Sequence, residues 1–454
     1  MTMILPFSDH KFRKIPKTHH LNPISSEGGT DGSFFSGAVF NLSTTIVGAG
    51  MMALPAAVNQ LGLIPGLVMI ILCAMLTESS VSMLVRFTRA SKSFTYSGVV
   101  HDAFGGLGRN LLLLCIIVNN VGMLVVYMVI IADVFSGTWS EGVHYSGVLE
   151  EWFGQRWWST RPVLLLLTTL VVLVPLASFQ RVDSLRYTSA LSVGFAIVFV
   201  VITAGIAIVK FIDGSIGMPR LMPKFTGMES FWKLFTTIPI LVSAYICHHN
   251  IHPIQNELID PSQMKAIVRT SLILCSSVYV ATSLFGFFLF GDKTLDDVLA
   301  NFDGDLGVPY GSVLTDVVRV SYGIHLILVF PIVFYSLRLN LDDLLFPHAI
   351  PLSFDTRRFY LVTTLLMAFI FVGANFVPSI WDAFQFIGAT AAVSAGYIFP
   401  AAIALRETRG VATKKDKLLS WFMILLAVSC STVAIFSDLY SVYSNETEVA
   451  ENLL

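Results

Sequence analysis

The sequence predicts an all-α membrane protein of about eleven spanning helices, the first and sixth of them broken. Three observations carry that prediction. Hydrophobic residues make up 55% of the 454-residue chain and charged residues only 13%, where a soluble domain carries about 25% charged. The mean hydropathy is +0.74, too apolar for water-soluble packing to hide. Apolar runs recur at the length of about 20 residues that a spanning helix needs, and two of them are interrupted by polar residues, glycine and proline.

The runs fall near 34–59, 63–86, 110–136, 162–178, 187–212, 231–255, 266–291, 312–337, 357–376, 379–405 and 418–440. No long polar segment separates them, so the chain reads as one membrane domain over 34–440. A tail of residues 1–33 precedes it and a short tail of residues 441–454 follows. No short apolar core with a cleavage site stands before Phe34, so the first helix does the targeting. About 20 of the 28 Lys and Arg residues fall in the first tail and in the loops after even-numbered runs. That asymmetry places the first tail in the cytoplasm and the last on the other side. One loop dissents, with Lys210, Arg220, Lys224 and Lys233 on the far side. The sequon at Asn445 lies on that side too, close to the last helix.

The first run reads FNLSTTIVGAGMMALP from Phe40 to Pro55. Three hydroxyls, an amide, two glycines and a proline at membrane depth either mark tight helix packing or break the helix. A break is the sharper reading, because Gly48 and Gly50 permit non-helical backbone. Unwound backbone exposes carbonyls that hold a cation and a fresh helix N-terminus that holds a carboxylate. The sixth run, from Ile238 to Leu258, is interrupted by Pro239, Pro253 and the cluster Cys247-His248-His249-Asn250. If runs 1–5 and 6–10 are two repeats, these interruptions correspond, which is the sequence mark of a transporter site.

Other polar residues sit inside apolar runs. Glu78 lies in the second, Asn119, Asn120 and Tyr127 in the third, and His325 in the eighth, six residues before Pro331. An ionisable group at that depth is a functional candidate by default. The plainer alternative is a pairing with nearby hydroxyls for Glu78, interhelical hydrogen bonding for Tyr127, and packing for a lone histidine. All five cysteines lie in apolar runs, where a thiol behaves as a small hydrophobe. The net charge of −2 argues against nucleic acid. No phosphate loop, zinc-protease helix or nucleophile elbow is present, so no enzyme, cofactor or metal is implied.

Four motifs in order resemble those of the amino acid/auxin permease family, which includes sodium-coupled neutral amino acid transporters and amino acid vacuolar transporters. They are Phe40-Asn41-Leu42-Ser43 with Ile46-Val47-Gly48-Ala49-Gly50; Ile246-Cys247-His248 with Glu257-Leu258; Phe330-Pro331-Ile332-Val333-Phe334; and Phe376-Val377-Pro378-Ser379-Ile380-Trp381-Asp382 with Phe386-Ile387-Gly388-Ala389. The pattern is most similar to the plant-type vacuolar subgroup. The resemblance implies a LeuT-like five-plus-five inverted repeat with an eleventh helix, and amino acids as substrates. It implies secondary active transport between helices 1 and 6, in a vacuolar or other endomembrane, with the plasma membrane as the alternative. Thr45, Gly48, Ala49, Gly50, Tyr127, Tyr245 and Cys247 are then the substrate candidates, and Asn41, Glu78, His248 and His325 the ion-coupling candidates. In sodium-coupled relatives the asparagine matching Asn41 serves the ion together with hydroxyls before the eighth-helix proline. Here Ile327 and Val329 stand at those places. A hard cation wants oxygen ligands, so a proton is the expected coupling ion. A nutrient sensor of the same fold, a sodium-coupled carrier and a passive carrier are the rival readings.

Overall fold

The computed structural model describes residues 32–140, 143–224, 228–302, 306–376 and 380–452. The basic residues Lys11 to Lys17, Asp303 and Asp305, Val377 to Ser379 and Leu453-Leu454 lie outside them. Every one of the eleven apolar runs falls on helix. Among the described residues nine helices are long and apolar enough to cross a membrane, and a bent pair makes a tenth span. The fourth run is a shorter apolar helix, Arg161–Ala177, one turn of which widens into π geometry at Thr169–Leu173.

The first span is two helices. α1 (Gly32–Ile46) and α2 (Gly50–Leu61) meet at 54°. After a tight turn at Gly62 (φ +80°), α3 (Leu63–Ser91) follows. α4 (Tyr96–Ser136) changes direction at Gly105, whose φ of +69° suits glycine. A two-stranded hairpin, β1 (Thr138–Ser140) with β2 (Val143–Tyr145), leads to the short α5 (Val148–Phe153). The fourth run is α6 (Arg161–Thr168), its π turn and α7 (Val174–Ala177). α8 (Arg186–Ile212) completes the first five spans. The sixth span is again two helices, α9 (Met228–Ala244) and α10 (His248–Glu257). α11 (Met264–Phe290), α12 (Gly311–Leu345) and α13 (Thr356–Phe376) follow. The tenth span opens as α14 (Ile380–Ile387), passes through two π stretches at Gly388–Ala392 and Ser394–Ile398, and ends as α15 (Phe399–Arg406). α16 (Lys414–Asn452) is the last helix.

Packing follows the apolar faces. α12 lies against both α4 and α8, and α11 against α8, α3 and α2. Rows such as Ile64, Val68, Ile71 and Met75 on α3 stay exposed on the outside, as they do where the solvent is lipid. The dissenting basic loop has a physical reason: Arg220 and Lys224 both pair with Asp292, at 2.6 and 2.5 Å, and Lys210 donates to Leu306 O. Its charges are spent locally, so it opposes the basic asymmetry less than a simple count suggests.

Arg338 is the largest fully buried side chain among the described residues. From α12 it donates to Ala177 O and Phe179 O, both at 2.7 Å, and to Thr363 Oγ1 at 3.1 Å. Its guanidinium lies 4.0 Å over the Phe359 ring. One side chain therefore fastens the end of α7, α12 and α13 together.

Candidate functional site

The two broken spans touch at their breaks. A Cβ on Gly50 would stand 2.9 Å from both Cα and Cβ of Ala244, the last residue of α9. One on Gly48 would stand 2.3 Å from Tyr127 Oη. Both glycines are required by close approach, to a helix in one case and to a tyrosine in the other.

The unwound residues leave polar backbone to be satisfied. Tyr279 Oη lies 2.6 Å from Ile46 O and 2.7 Å from Ala244 O, and its single proton serves both carbonyls. Tyr322 Oη donates to Gly48 O at 2.9 Å. Thr45 Oγ1 donates to Asn41 O and accepts from Asn250 Nδ2, both at 2.9 Å, which joins α1 to α10. The carbonyls at the break are thus held by side chains. The amides of Gly48, Ala49 and Gly50 find no acceptor among the described residues, and neither do those of Cys247, His248 and His249. α2 and α10 each start from one of the two breaks with unpaired N–H groups, and a helix N-terminus of that kind favours an anion.

The structure brings Thr45, Gly48, Ala49, Gly50 and Tyr127 together here. Tyr245 turns aside: its hydroxyl donates to Ser276 Oγ at 3.0 Å and its ring packs edge-on to Tyr279. Cys247 is fully buried at the start of α10. Asn41 lies on α1 little more than a turn before Ile46, with Nδ2 on Val182 O at 3.0 Å. Glu78 is half-buried on the continuation of the exposed row of α3, away from the breaks.

His248 faces α3 and the tenth span. Ser80 donates its one hydroxyl proton to Gly396 O (2.5 Å), so it accepts from His248 Nε2–H (2.9 Å). That fixes the tautomer and leaves Nδ1 a buried atom without a partner. His252 repeats the arrangement one turn on, with Thr88 donating to Leu84 O and sitting 2.8 Å from His252 Nε2. His325 Nδ1 donates to Ser192 O at 2.9 Å, and its ring lies beside Tyr322. His325 Nε2 is likewise buried and unpartnered.

Tyr279, Tyr322 and Asn250 were not among the residues expected from sequence. The signal for the first is present in retrospect: Ser276, Tyr279, Thr282 and Ser283 make a polar row at helical spacing on one face of an otherwise apolar run. Tyr279→Phe leaves two buried carbonyls without a donor, a loss of about 1–3 kcal/mol. Exchange of substrate should fall about tenfold, whereas Tyr245→Phe, which gives up only Ser276, should change it little. Rates normalised to folded protein check both.

A family model described as "Transmembrane amino acid transporter protein" matches residues 31–444. The chain belongs to that family. The transporter is 58% identical over 413 residues to the Arabidopsis thaliana amino acid transporter AVT6A, covering 91% of this chain and 90% of the relative. It is 57% identical to AVT6B of the same plant, over 94% and 95% of the two chains. Among solved structures, an Eremococcus coleocola manganese transporter superposes with a TM-score of 0.53 at 11% identity, covering 94% of this transporter and 92% of that chain. At that identity the likeness is one of fold alone. It is the LeuT-like fold, with the first and sixth spans broken.

Proposed function

We propose that this transporter is a proton-coupled secondary active carrier that holds the carboxylate of an amino acid on the free amides of Gly48, Ala49 and Gly50. One observation carries the reading: three consecutive amides stand free at the N-terminus of a half-helix, while the neighbouring carbonyls are already engaged by tyrosines. The site is therefore a donor surface waiting for an acceptor. Tyr127 forms the wall over Gly48, and the two short half-helices are the parts that rock between the two access states.

Proton coupling is supported by what surrounds the breaks. Ile327 and Val329 offer no side-chain oxygen to a metal cation, and Val329 is fully buried. Each of the buried histidines His248, His249, His252 and His325 keeps one ring nitrogen without a partner. A lone pair of that kind is where a proton can be taken up. Coupling requires ion and substrate to bias one conformational equilibrium, and His248 begins the half-helix that meets the site. We place the carrier in a vacuolar or other endomembrane with its N-terminus in the cytoplasm, as the basic asymmetry suggests.

The test is counterflow and uptake of an amino acid panel in proteoliposomes with a pH gradient, a sodium gradient, or neither. Uptake should rise with an imposed pH gradient and ignore sodium. The pH response should be lost in His248→Ala. Uptake that follows sodium and ignores pH overturns the coupling. A transporter that binds amino acids but gives no counterflow is a sensor instead.

A further inference from the structure

The halves of the two broken spans that point away from α2 and α9 meet at one peptide unit, α1 part-way along its length and α10 at its last residue. From α1, Asn41 Nδ2 donates to Val182 O at 3.0 Å. From the last residue of α10, Glu257 Oε1 accepts from Val182 N at 3.1 Å and Oε2 from Asp183 N at 2.6 Å. Both polar groups of residue 182 are thus taken, one by each half-helix. The carboxylate also sits at the start of the helical stretch that becomes α8, where negative charge is favoured. On its other side this turn is fixed to the frame, because Arg338 of α12 holds Ala177 O and Phe179 O just before it. A cavity of about 10 Å³ lies between the parts, bordered by Ala38, Asn41, Val182 and Glu257.

We propose that Glu257 is a positioning residue of the transport cycle, the catch that holds α10 to the Val182–Asp183 turn, where Asn41 also holds α1, and closes the substrate path at that end. The inference rests on the transport reading above. α1 and α10 are the elements that must move for the site to open on this side. Other ties to neighbouring spans, such as Thr44 to Ser189 O and Ser336 to His249 O, are single neutral hydrogen bonds, whereas the carboxylate of Glu257 takes two backbone donors of one turn at once. Two N–H donors on one carboxylate make a charge-assisted pair of bonds, stronger than neutral ones. Removing the charge weakens both together.

The experiment reads opening directly and needs no substrate. Ala38, 6% exposed beside the catch, is replaced by cysteine, and the rate of labelling by a membrane-impermeant thiol reagent is followed in sealed vesicles of each orientation. Glu257→Gln keeps the shape but loses the charge, and should speed labelling from one side only by about tenfold. Val182→Pro is an independent variant: φ at Val182 is −66°, which proline adopts, so the change removes one donor and leaves Glu257 intact. It should act in the same direction. A residue that merely caps a helix would lower thermal stability without one-sided labelling. Labelling within about twofold of the Ala38→Cys parent in a folded Glu257→Gln or Val182→Pro protein overturns the proposal. Where Glu257→Gln does not fold, Val182→Pro decides. Wild-type counterflow is measured in parallel, so a failure of the transport reading shows there and leaves the labelling result to stand or fall alone.

Discussion

Gly50→Val should abolish amino acid exchange while the protein still inserts and can be purified. The first carbon of any side chain at this position meets Ala244 Cα and Cβ at 2.9 Å, and backbone cannot swing aside as a side chain can. The two half-helices must part beside the free amides of Gly48, Ala49 and Gly50. Overpacking of this kind costs about 1–3 kcal/mol when neighbours can yield, and a branched side chain against backbone lies at the upper end. Transport should therefore drop on the order of a hundredfold. Gly50→Ala should be graded between the two. Ala244→Gly in the same chain should restore Gly50→Ala only in part, since the backbone of residue 244 still stands in the way. Wild-type exchange by Gly50→Val, per unit of folded protein, removes the site from this crossing.

The second large effect is on stability. Arg338→Ala leaves Ala177 O, Phe179 O and Thr363 Oγ1 without their donor and opens a void beside Phe359. Unpaired buried groups and a cavity together cost about 3–5 kcal/mol. Arg338→Lys keeps a charge but loses the planar fork that reaches several acceptors and the stacking over Phe359, so it should recover less than half. Thermal unfolding of the purified protein should show a midpoint several degrees lower for both, with Ala the worse. An unchanged midpoint for Arg338→Ala means that α7 and α13 are held by other contacts.

The fold was legible because lipid imposes its own arithmetic. Run lengths and the Gly48/Gly50 and Cys247–Asn250 interruptions follow from what a bilayer permits, and each run lands on helix. The site was half legible. Thr45, Gly48, Ala49, Gly50 and Tyr127, expected because glycines and hydroxyls at membrane depth demand a reason, do come together at the break. Tyr279 and Tyr322 escaped, since a tyrosine in an apolar run reads as packing until the carbonyl it serves is in view. Direction escaped as well. Sequence places Tyr245, His248 and Asn41 beside a break or on the broken helix, but not which way each points. One turns to Ser276, one to Ser80, and one reaches from α1 to Val182. The reason for Gly50 also changed: the backbone that it must admit belongs to α9.

The two π stretches of the tenth span have a consequence of their own. A π turn is an α-helix carrying one residue more than its pitch calls for, often at a functional site. Each surplus residue rotates everything after it by about 100° relative to everything before. Tyr397, whose hydroxyl lies 3.3 Å from both Thr77 Oγ1 and Cys73 O, and Gly396, whose carbonyl receives Ser80, therefore owe their azimuth to residue count rather than residue type. Deleting one residue from 388–398 would relax the span towards a plain α-helix and swing these groups off α3 without removing any of them. The phase of this helix is written as an insertion, and no single substitution can undo it.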